Sequence, residues 1–192
     1  MGILWEQESR TFTLFTDRTS YQMQVDEHGY LHHLYYGRST GGSNMEYMHY
    51  YSDCGFSANP YELMDRRDFS MDNICQEYPG CDNGDYRVNC LSLQNPDGSY
   101  SADFRYAGHE IRQGKYELPG LPAACDESGQ AESLVIRMED PVTGLVLRLF
   151  YGVFAGEDVI TRSAEILNQT GGRSGFTRPF PLVWISLLGT GS

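Results

Sequence analysis

Hydrophobic and polar residues alternate with a period of two along several short segments of this chain. Near the N-terminus the segments with this pattern are residues 11–16, 21–25 and 30–36. Such alternation is typical of β-strands that bury one face. Since only a few turn-forming residues separate consecutive segments, we predict that these three form an antiparallel meander.

The same pattern returns in the second half of the chain. The segments that carry it are residues 88–94, 102–111, 134–138, 145–153 and 159–167. Between the first two lies Asn95–Ser99, in which Pro96 presets φ and Gly98 accepts a left-handed conformation, so we predict a tight turn there. No segment carries a sustained helical stripe. The sequence therefore predicts a mainly β protein with few or no helices, built from two packed antiparallel sheets.

Residues 53–87 interrupt this pattern with a long irregular segment rich in acids, arginines, tyrosines and glycines. Segments of this kind in compact domains are usually binding or interaction loops, or else disordered. Five aromatic residues argue against disorder. They are Phe56, Tyr61, Phe69, Tyr78 and Tyr86. We therefore predict an ordered surface loop that contacts a ligand or a partner.

Composition narrows the partners and the compartment. The 192 residues are 40% hydrophobic, enough for one domain with a sizeable core. The net charge of −12 repels phosphate backbones and anionic membranes but leaves neutral sugars unaffected. The N-terminal residues lack the pattern of a secretory signal, and no apolar run reaches the roughly 18 residues of a membrane span. We expect a cytoplasmic protein without nucleic-acid or membrane partners.

Cysteine usage agrees with that compartment. The five cysteines are an odd number and contain no CxxC pair. Reduced thiols are therefore favoured over disulfides or a zinc site, and we expect no metal and no cofactor.

The C-terminal residues have a different character. All 26 acids lie at or before Glu165, and residues 173–192 contain an apolar run from Leu182 to Leu188. We expect residues 1–172 to form the domain and residues 173–192 to be an aberrant or truncated tail.

Four segments resemble the N-terminal domain of the glycoside hydrolase family 36 α-galactosidases. They are TSYQMQVDEHGYLHHLYYG, RRDFSMDNICQEYPGCDNGDYR, HEIRQGKYELPGLPA and DVITRSAEILN, in that order along the chain. The resemblance implies a β-sandwich that precedes a (β/α)8 catalytic barrel and a small C-terminal β domain. It also implies a bacterial enzyme, commonly a tetramer, that releases terminal α-D-galactosyl residues from sugars such as raffinose and melibiose.

The catalytic motifs of that family are missing from these residues. Retaining glycosidases use two carboxyl groups about 5 to 5.5 Å apart. The family carries them in barrel motifs of the type Lys-Trp-Asp and Ser-Asp-Asn, and neither tripeptide occurs here. Ser52-Asp53-Cys54 shares only two letters with the second motif. We assign no catalytic residue, and we expect the chain alone to be inactive.

The resemblance does imply two substrate-binding residues. In the family, an aspartate and an arginine of this domain reach the substrate pocket of a neighbouring subunit. Their contexts match Asp53 and Arg67, although Arg66 is an alternative for the arginine. A carboxylate can accept hydrogen bonds from two sugar hydroxyls, and a guanidinium can donate to oxygens or orient that carboxylate. A local salt bridge in the loop is the competing interpretation.

Other polar and aromatic residues leave alternatives open. His32 and His33 are adjacent on a predicted strand, so we expect one to be packed and the other exposed, without a shared metal. Residues 82–85 resemble part of a calcium loop but are expected to form a turn. Three tyrosines can stack on sugar rings or lie in the core or at a subunit interface. They are Tyr47, Tyr50 and Tyr51.

Two functions follow from these observations. The first is the N-terminal portion of an α-galactosidase, which contributes to the oligomer and to the substrate pocket. The alternative is a stand-alone β-sandwich that binds carbohydrate or another subunit without catalysis.

Overall fold

The computed structural model describes residues 2–53, 59–80, 86–118, 124–127 and 129–168, and the strands at 175–179 and 183–186. Strands dominate it. They are Ile3–Glu6 (β1), Thr11–Phe15 (β2), Thr19–Val25 (β3), Leu31–Arg38 (β4), Leu91–Gln94 (β5), Arg105–Gln113 (β6), Glu132–Glu139 (β7), Leu145–Phe154 (β8), Val159–Asn168 (β9), Gly175–Pro179 (β10) and Val183–Ser186 (β11). In these residues the helices are two 3₁₀ turns, Glu46–Met48 and Tyr61–Leu63.

Two sheets form the body of the domain. The first is an antiparallel meander in the order β1-β2-β3-β4. The second has the order β11-β9-β8-β7-β6 and is antiparallel except between β11 and β9. A two-stranded pair joins β5 to β10. The predicted architecture of two antiparallel sheets with few helices is confirmed, and the β9–β11 pair is a parallel addition that alternation did not indicate.

The hydrophobic core lies between the two sheets. Alternate residues of β2 and β8 point into it, so that Phe12, Leu14 and Leu147 have no exposed surface. One face of each strand is therefore apolar, which is the pattern that a half-buried strand requires. The outer face of the first sheet is polar but also covered, because Gln22 and Gln24 hold the segment after β4 against it.

A charged residue of the long loop ends inside this core. The Glu77 carboxylate, with 1% of its side chain exposed, accepts hydrogen bonds from the Tyr21 and Tyr151 hydroxyls at 2.7 Å each. Tyr21 belongs to β3 and Tyr151 to β8, so the carboxylate joins both sheets. The Arg162 guanidinium supplies the opposite charge at 3.2 Å. Burial and the neighbouring Glu77 charge raise the pKa of the Tyr21 hydroxyl, which therefore remains a donor.

The main chain around Glu77 extends the first sheet. The Glu77 amide donates to the Leu31 carbonyl, and the His33 amide donates to the Cys75 carbonyl. A bridge also pairs His32 with Gln76. Residues 75–77 therefore cover the outer edge of β4 and fix the point at which the loop rejoins the body.

Among the described residues, Cys75 and Cys125 are free thiols, and Cys54 and Cys81 lie outside the described part. Within the same part, no three or more His, Cys, Asp or Glu side chains are grouped as a metal site would require. No helix there has the length and apolar character of a membrane span.

Candidate functional site

The described part of the long loop has a hydrophobic interior of its own. A second cluster of buried side chains, separate from the main core, orders it. The members of this second cluster are Tyr30, Leu63, Phe69, Met71 and Ile74. Four of the five come from the loop itself and Tyr30 comes from the meander. Of the five aromatic residues from which order was predicted, Phe69 packs in this cluster and Tyr78 in the main core, whereas Tyr61 and Tyr86 are exposed and Phe56 lies outside the described residues.

The 3₁₀ turn Tyr61–Leu63 places the arginines of the loop. Leu63 is fully buried, and the Arg66 amide donates to its carbonyl at 3.0 Å. The Phe69 amide then donates to the Arg66 carbonyl at 3.2 Å. Arg66 and Arg67 thus lie on a short bridge between two buried side chains, Leu63 and Phe69, so their positions are set by packing rather than by their own charges.

Asp53 and Arg67, the two predicted substrate-binding residues, lie side by side. Nη2 of Arg67 is 3.1 Å from Oδ2 of Asp53 and 3.3 Å from Oδ1. Both side chains are largely exposed, at 73% for Arg67 and 57% for Asp53. Exposed ion pairs contribute only about 0–1 kcal/mol to stability. Because the pair adds little to the fold, both charged groups are available to a ligand at low energetic cost.

Arg66 has different partners. Its Nε and Nη2 donate to the two oxygens of Asp68 at 3.0 and 3.2 Å, and its Nη1 donates to Glu27 at 3.2 Å. The hydrogen bonds to Asp68 raise the pKa of the Arg66 guanidinium. The Arg66 guanidinium therefore already donates hydrogen bonds to two carboxylates. Of the two arginines considered from the sequence, Arg67 is therefore the one beside Asp53.

The three tyrosines before Asp53 are at the surface. Tyr47, Tyr50 and Tyr51 are 74%, 68% and 50% exposed, which excludes the core among their alternatives. Gln22 clamps the segment that leads to them, because its Nε2 donates to the Ser43 carbonyl and its Oε1 accepts from the Met45 amide. Contact with a sugar and contact with another subunit both stay open for these rings.

The structure buries one of the two histidines, as predicted, but leaves the other only partly exposed. His32 is buried, and its Nε2 lies 2.8 Å from the Asp26 carboxylate. The His33 side chain is 31% exposed, and its Nδ1 lies 3.3 Å from Glu77. The two side chains thus serve opposite faces of β4. Residues 82–85, predicted to form a turn, lie outside the described residues.

Two residues that support the loop carry no functional signal in the sequence. Glu77 and Asn73 both fall within the resembling segment at residues 66–87, where nothing marks either of them. The Asn73 amide donates to the Ser52 hydroxyl at 2.7 Å, directly before Asp53. No sequence pattern signals this contact, since the two residues are 21 positions apart in an aperiodic segment. The buried position of Glu77 was equally hidden, because an acid normally indicates a solvated position.

The fold and the loop together define a β-sandwich domain that presents an exposed, ordered carboxylate–guanidinium pair. The family described as the Glycosyl hydrolase family 36 N-terminal domain matches residues 29–178. The chain belongs to this family.

Named relatives agree in sequence. The bifunctional α-galactosidase/sucrose kinase AgaSK of Mediterraneibacter gnavus is 45% identical over 173 residues, which are 90% of this chain and 18% of the relative. The α-galactosidase AgaA of Geobacillus stearothermophilus is 37% identical over 90% of this chain and 24% of its own length. The chain thus spans about a quarter or less of the relatives it matches.

Solved structures agree in fold. The galactosidase domain of AgaSK superposes with a TM-score of 0.87 at 44% identity, covering 91% of this chain and 24% of that one. The α-galactosidase AgaB of Geobacillus stearothermophilus gives 0.82 at 35% identity, covering 91% and 23%. A variant of AgaA in complex with raffinose gives 0.80 at 38% identity, covering 85% and 23%. This chain therefore corresponds to the N-terminal domain of such enzymes.

Proposed function

We propose that this chain is the N-terminal part of a cytoplasmic enzyme that hydrolyses terminal α-D-galactosyl residues. In this proposal the domain has two roles, contact between subunits of a homo-oligomer and contact with the galactoside. The observation that carries the second role is the exposed Asp53–Arg67 pair on an ordered loop. Structures of the related AgaA with raffinose and with stachyose support α-galactosides as the substrate class.

The chemistry of the pair fits a neutral sugar. The Asp53 carboxylate accepts hydrogen bonds from two neighbouring hydroxyls, and the Arg67 guanidinium donates to sugar oxygens. In the isolated domain the two groups bind each other at 3.1 Å. A galactoside that reaches them from a neighbouring catalytic domain would replace part of that contact with charge-assisted hydrogen bonds. In the proposed homo-oligomer, such as a tetramer, the loop therefore lies at a boundary between subunits.

A chimaera with a related enzyme tests this role. Residues 2–168 of this chain would replace the matching domain of the AgaSK galactosidase, which is 44% identical and has the same fold. We expect Asp53→Ala and Arg67→Ala to lower kcat/KM for raffinose about ten- to a hundredfold. Each removes a hydrogen bond to a charged group, which is worth about 1.5–3 kcal/mol.

Two further variants make the result specific. Arg112→Ala is a matched control, because Arg112 also forms an exposed pair with a carboxylate, that of Glu110, on β6. Arg66→Ala tests the alternative arginine. Wild-type kcat/KM in both Asp53→Ala and Arg67→Ala, in a chimaera with unchanged oligomeric state, would reduce the pair to a surface salt bridge.

The other proposed role, contact between subunits, is favoured by the exposed residues that precede Asp53. Tyr47, Met48 and Tyr50 are each more than half exposed on a clamped segment. Tyrosine and methionine are enriched at protein interfaces, and Tyr recurs among their hot spots. In the same chimaera, Tyr47→Ser with Tyr50→Ser should shift the oligomer towards smaller species in sedimentation velocity. An unchanged distribution would remove this role from the two rings.

A further inference from the structure

We propose that Asn73 is a positioning residue that sets the place of the Asp53 carboxylate through Ser52. The inference rests on the proposed function, in which Asp53 contacts the sugar, and it adds a residue that does not itself touch substrate. It depends on three features of the loop: a rigid turn that carries Asn73, a second set of bonds that holds this turn, and the contact from Asn73 to Ser52.

Asn73 lies in a closed turn at residues 70–74. The Ser70 carbonyl accepts hydrogen bonds from the main-chain amides of Asn73 and Ile74 at 3.0 and 3.1 Å. The Ser70 hydroxyl accepts one from the main-chain amide of Asp72 at 3.2 Å. Met71 and Ile74 are 1% and 2% exposed within the second cluster. The turn is thus capped by its own serine and anchored by two buried side chains, so the Asn73 side chain starts from a fixed backbone.

A second set of hydrogen bonds holds the turn from its other side. Nη2 of Arg87 donates to the Met71 and Ile74 carbonyls at 2.8 Å each. The Tyr86 amide donates to Oδ1 of Asp72 at 2.9 Å. Carbonyls that a turn would leave to solvent are thus bound by a guanidinium, and hydrogen bonds to charged donors are stronger than neutral ones.

From this turn the side-chain amide of Asn73 extends to the segment that carries Asp53. Its Nδ2 donates to the Ser52 hydroxyl at 2.7 Å. Ser52 immediately precedes Asp53, so fixing the serine limits where the aspartate can place its carboxylate. Catalytic and binding groups need support of this kind, because small displacements at a site reduce its productive geometry.

The two members of the site are held in different ways. Arg67 lies between the buried Leu63 and Phe69, and this packing does not involve Asn73. Asp53 is paired with Arg67 at 3.1 Å and is also tied to the turn through the neighbouring Ser52. Loss of the Asn73 side-chain amide should therefore shift the main chain at Asp53 and leave that of Arg67 in place, which separates a positioning role from general loosening of the loop.

The chimaera described above provides the functional test. We expect Asn73→Ala to lower kcat/KM for raffinose about three- to tenfold, the range for one neutral hydrogen bond. Asn73→Asp should recover most of the loss, because its carboxylate can accept from the Ser52 hydroxyl over the same distance. The matched control is Asn89→Ala, which removes an asparagine side-chain amide that donates to the Leu91 carbonyl at 2.8 Å instead of to Ser52.

Combination with Asp53→Ala separates positioning from a structural effect. If Asn73 acts through Asp53, Asn73→Ala adds nothing further once Asp53 is an alanine. Additive losses, or no loss in Asn73→Ala where Asp53→Ala has one, would overturn the inference. If Asp53→Ala itself has no effect, the proposed function fails instead.

The chain by itself gives an independent readout. In ¹⁵N relaxation measurements, Asn73→Ala should lower the order parameter of the Asp53 amide and leave that of Phe69 unchanged. Equal order at Asp53 in the wild type and Asn73→Ala would contradict the inference whatever the kinetics show.

Discussion

At the scale of single residues, the stability of this domain depends most clearly on the buried charge of Glu77. The Glu77 carboxylate lies between the sheets with Arg162 at 3.2 Å and two tyrosine hydroxyls at 2.7 Å. An ion in such a place is tolerated only when its partners replace the lost hydration. The Glu77 amide also donates to the Leu31 carbonyl of β4, so the same residue stabilises the core and anchors the long loop to the first sheet.

We predict that Glu77→Ala destabilises the domain by about 1–3 kcal/mol, because it leaves the hydroxyls of Tyr21 and Tyr151 without their acceptor between the sheets. Urea unfolding followed by tyrosine fluorescence measures this loss. Glu139→Ala is the control, since Glu139 pairs with Arg137 on the surface and both are about half exposed. A loss at Glu77 no larger than that at Glu139 would show that the network is unimportant for stability.

His49 makes stability depend on pH. Burial lowers the pKa of its imidazole to about 4, with a further contribution from the nearby His32. The carboxylates of Glu46 and Asp26 act in the opposite direction but do not prevail. Nε2 of His49 lies 2.8 Å from Oε1 of the Gln24 side-chain amide, which fits a neutral ring that donates a hydrogen bond to this oxygen.

The sign of the effect follows from proton uptake. Between the ordinary histidine pKa of 6.5 and the folded value of about 4, the unfolded chain binds more protons than the folded one. Stability therefore falls as the pH is lowered through this window. Asp26 acts in a lower pH range. Because its pKa is lowered in the folded chain, its contribution to stability is lost only when the pH falls below about 3.8, the usual pKa of the group.

We predict that His49→Gln reduces the loss of stability between pH 7 and pH 5, because it removes the group that takes up the proton on unfolding. Urea midpoints at the two pH values measure the slope. His28→Gln, at a partly exposed ring beside Glu27, is the matched control for the loss of one imidazole. The same slope in all three proteins would assign the pH dependence to other groups.

At the scale of elements, alternation predicted the strands whose partners lie nearby in sequence. In β8, Leu145, Leu147 and Leu149 are all fully buried on the core face, whereas Arg148 and Phe150 on the other face are partly exposed. Such a strand can be predicted because its core-facing positions are all apolar. The meander of β2, β3 and β4 was predictable for the same reason, together with its short connections.

The remaining elements depend on contacts that are distant along the chain. Strand β1 has only four residues, and it forms by pairing Ile3 with Leu14 of β2. Strand β11 pairs in parallel with β9, as in Val183 with Ala164. A short strand without alternation carries little local signal, and its existence is decided by the edge that receives it.

The site shows the same division. Asp53 and Arg67 were found only through the resemblance, and periodicity gave no indication of them. The second cluster was hidden because its residues follow no fixed spacing, although the aromatics predicted that the loop would be ordered. The choice between Arg66 and Arg67 needed three dimensions, since it depends on Asp68 and Glu27 binding the first of them.

At the scale of the whole molecule, the boundary at residue 172 stays a prediction. The family match runs to residue 178, and β10 lies beyond the boundary and pairs with β5.

The net charge of −12 fits a domain whose proposed ligand is a neutral sugar and whose described surface offers Arg67 next to Asp53. In the proposed homo-oligomer, apolar or hydrogen-bonded contacts are favoured between such acidic copies, and the exposed tyrosines supply groups of both kinds.

The last prediction concerns catalysis by these 192 residues alone. Hydrolysis with retention needs an acid/base and a nucleophile about 5 to 5.5 Å apart, and the family motifs that supply them do not occur in this sequence. We therefore expect the purified chain to release no product from a chromogenic α-galactoside, whereas the chimaera with AgaSK turns it over. Mixing the chain with the chimaera serves as a check for inhibition. Turnover by the chain that persists through a second purification and is lost in Asp53→Ala would place a catalytic carboxylate in the loop and overturn this assignment.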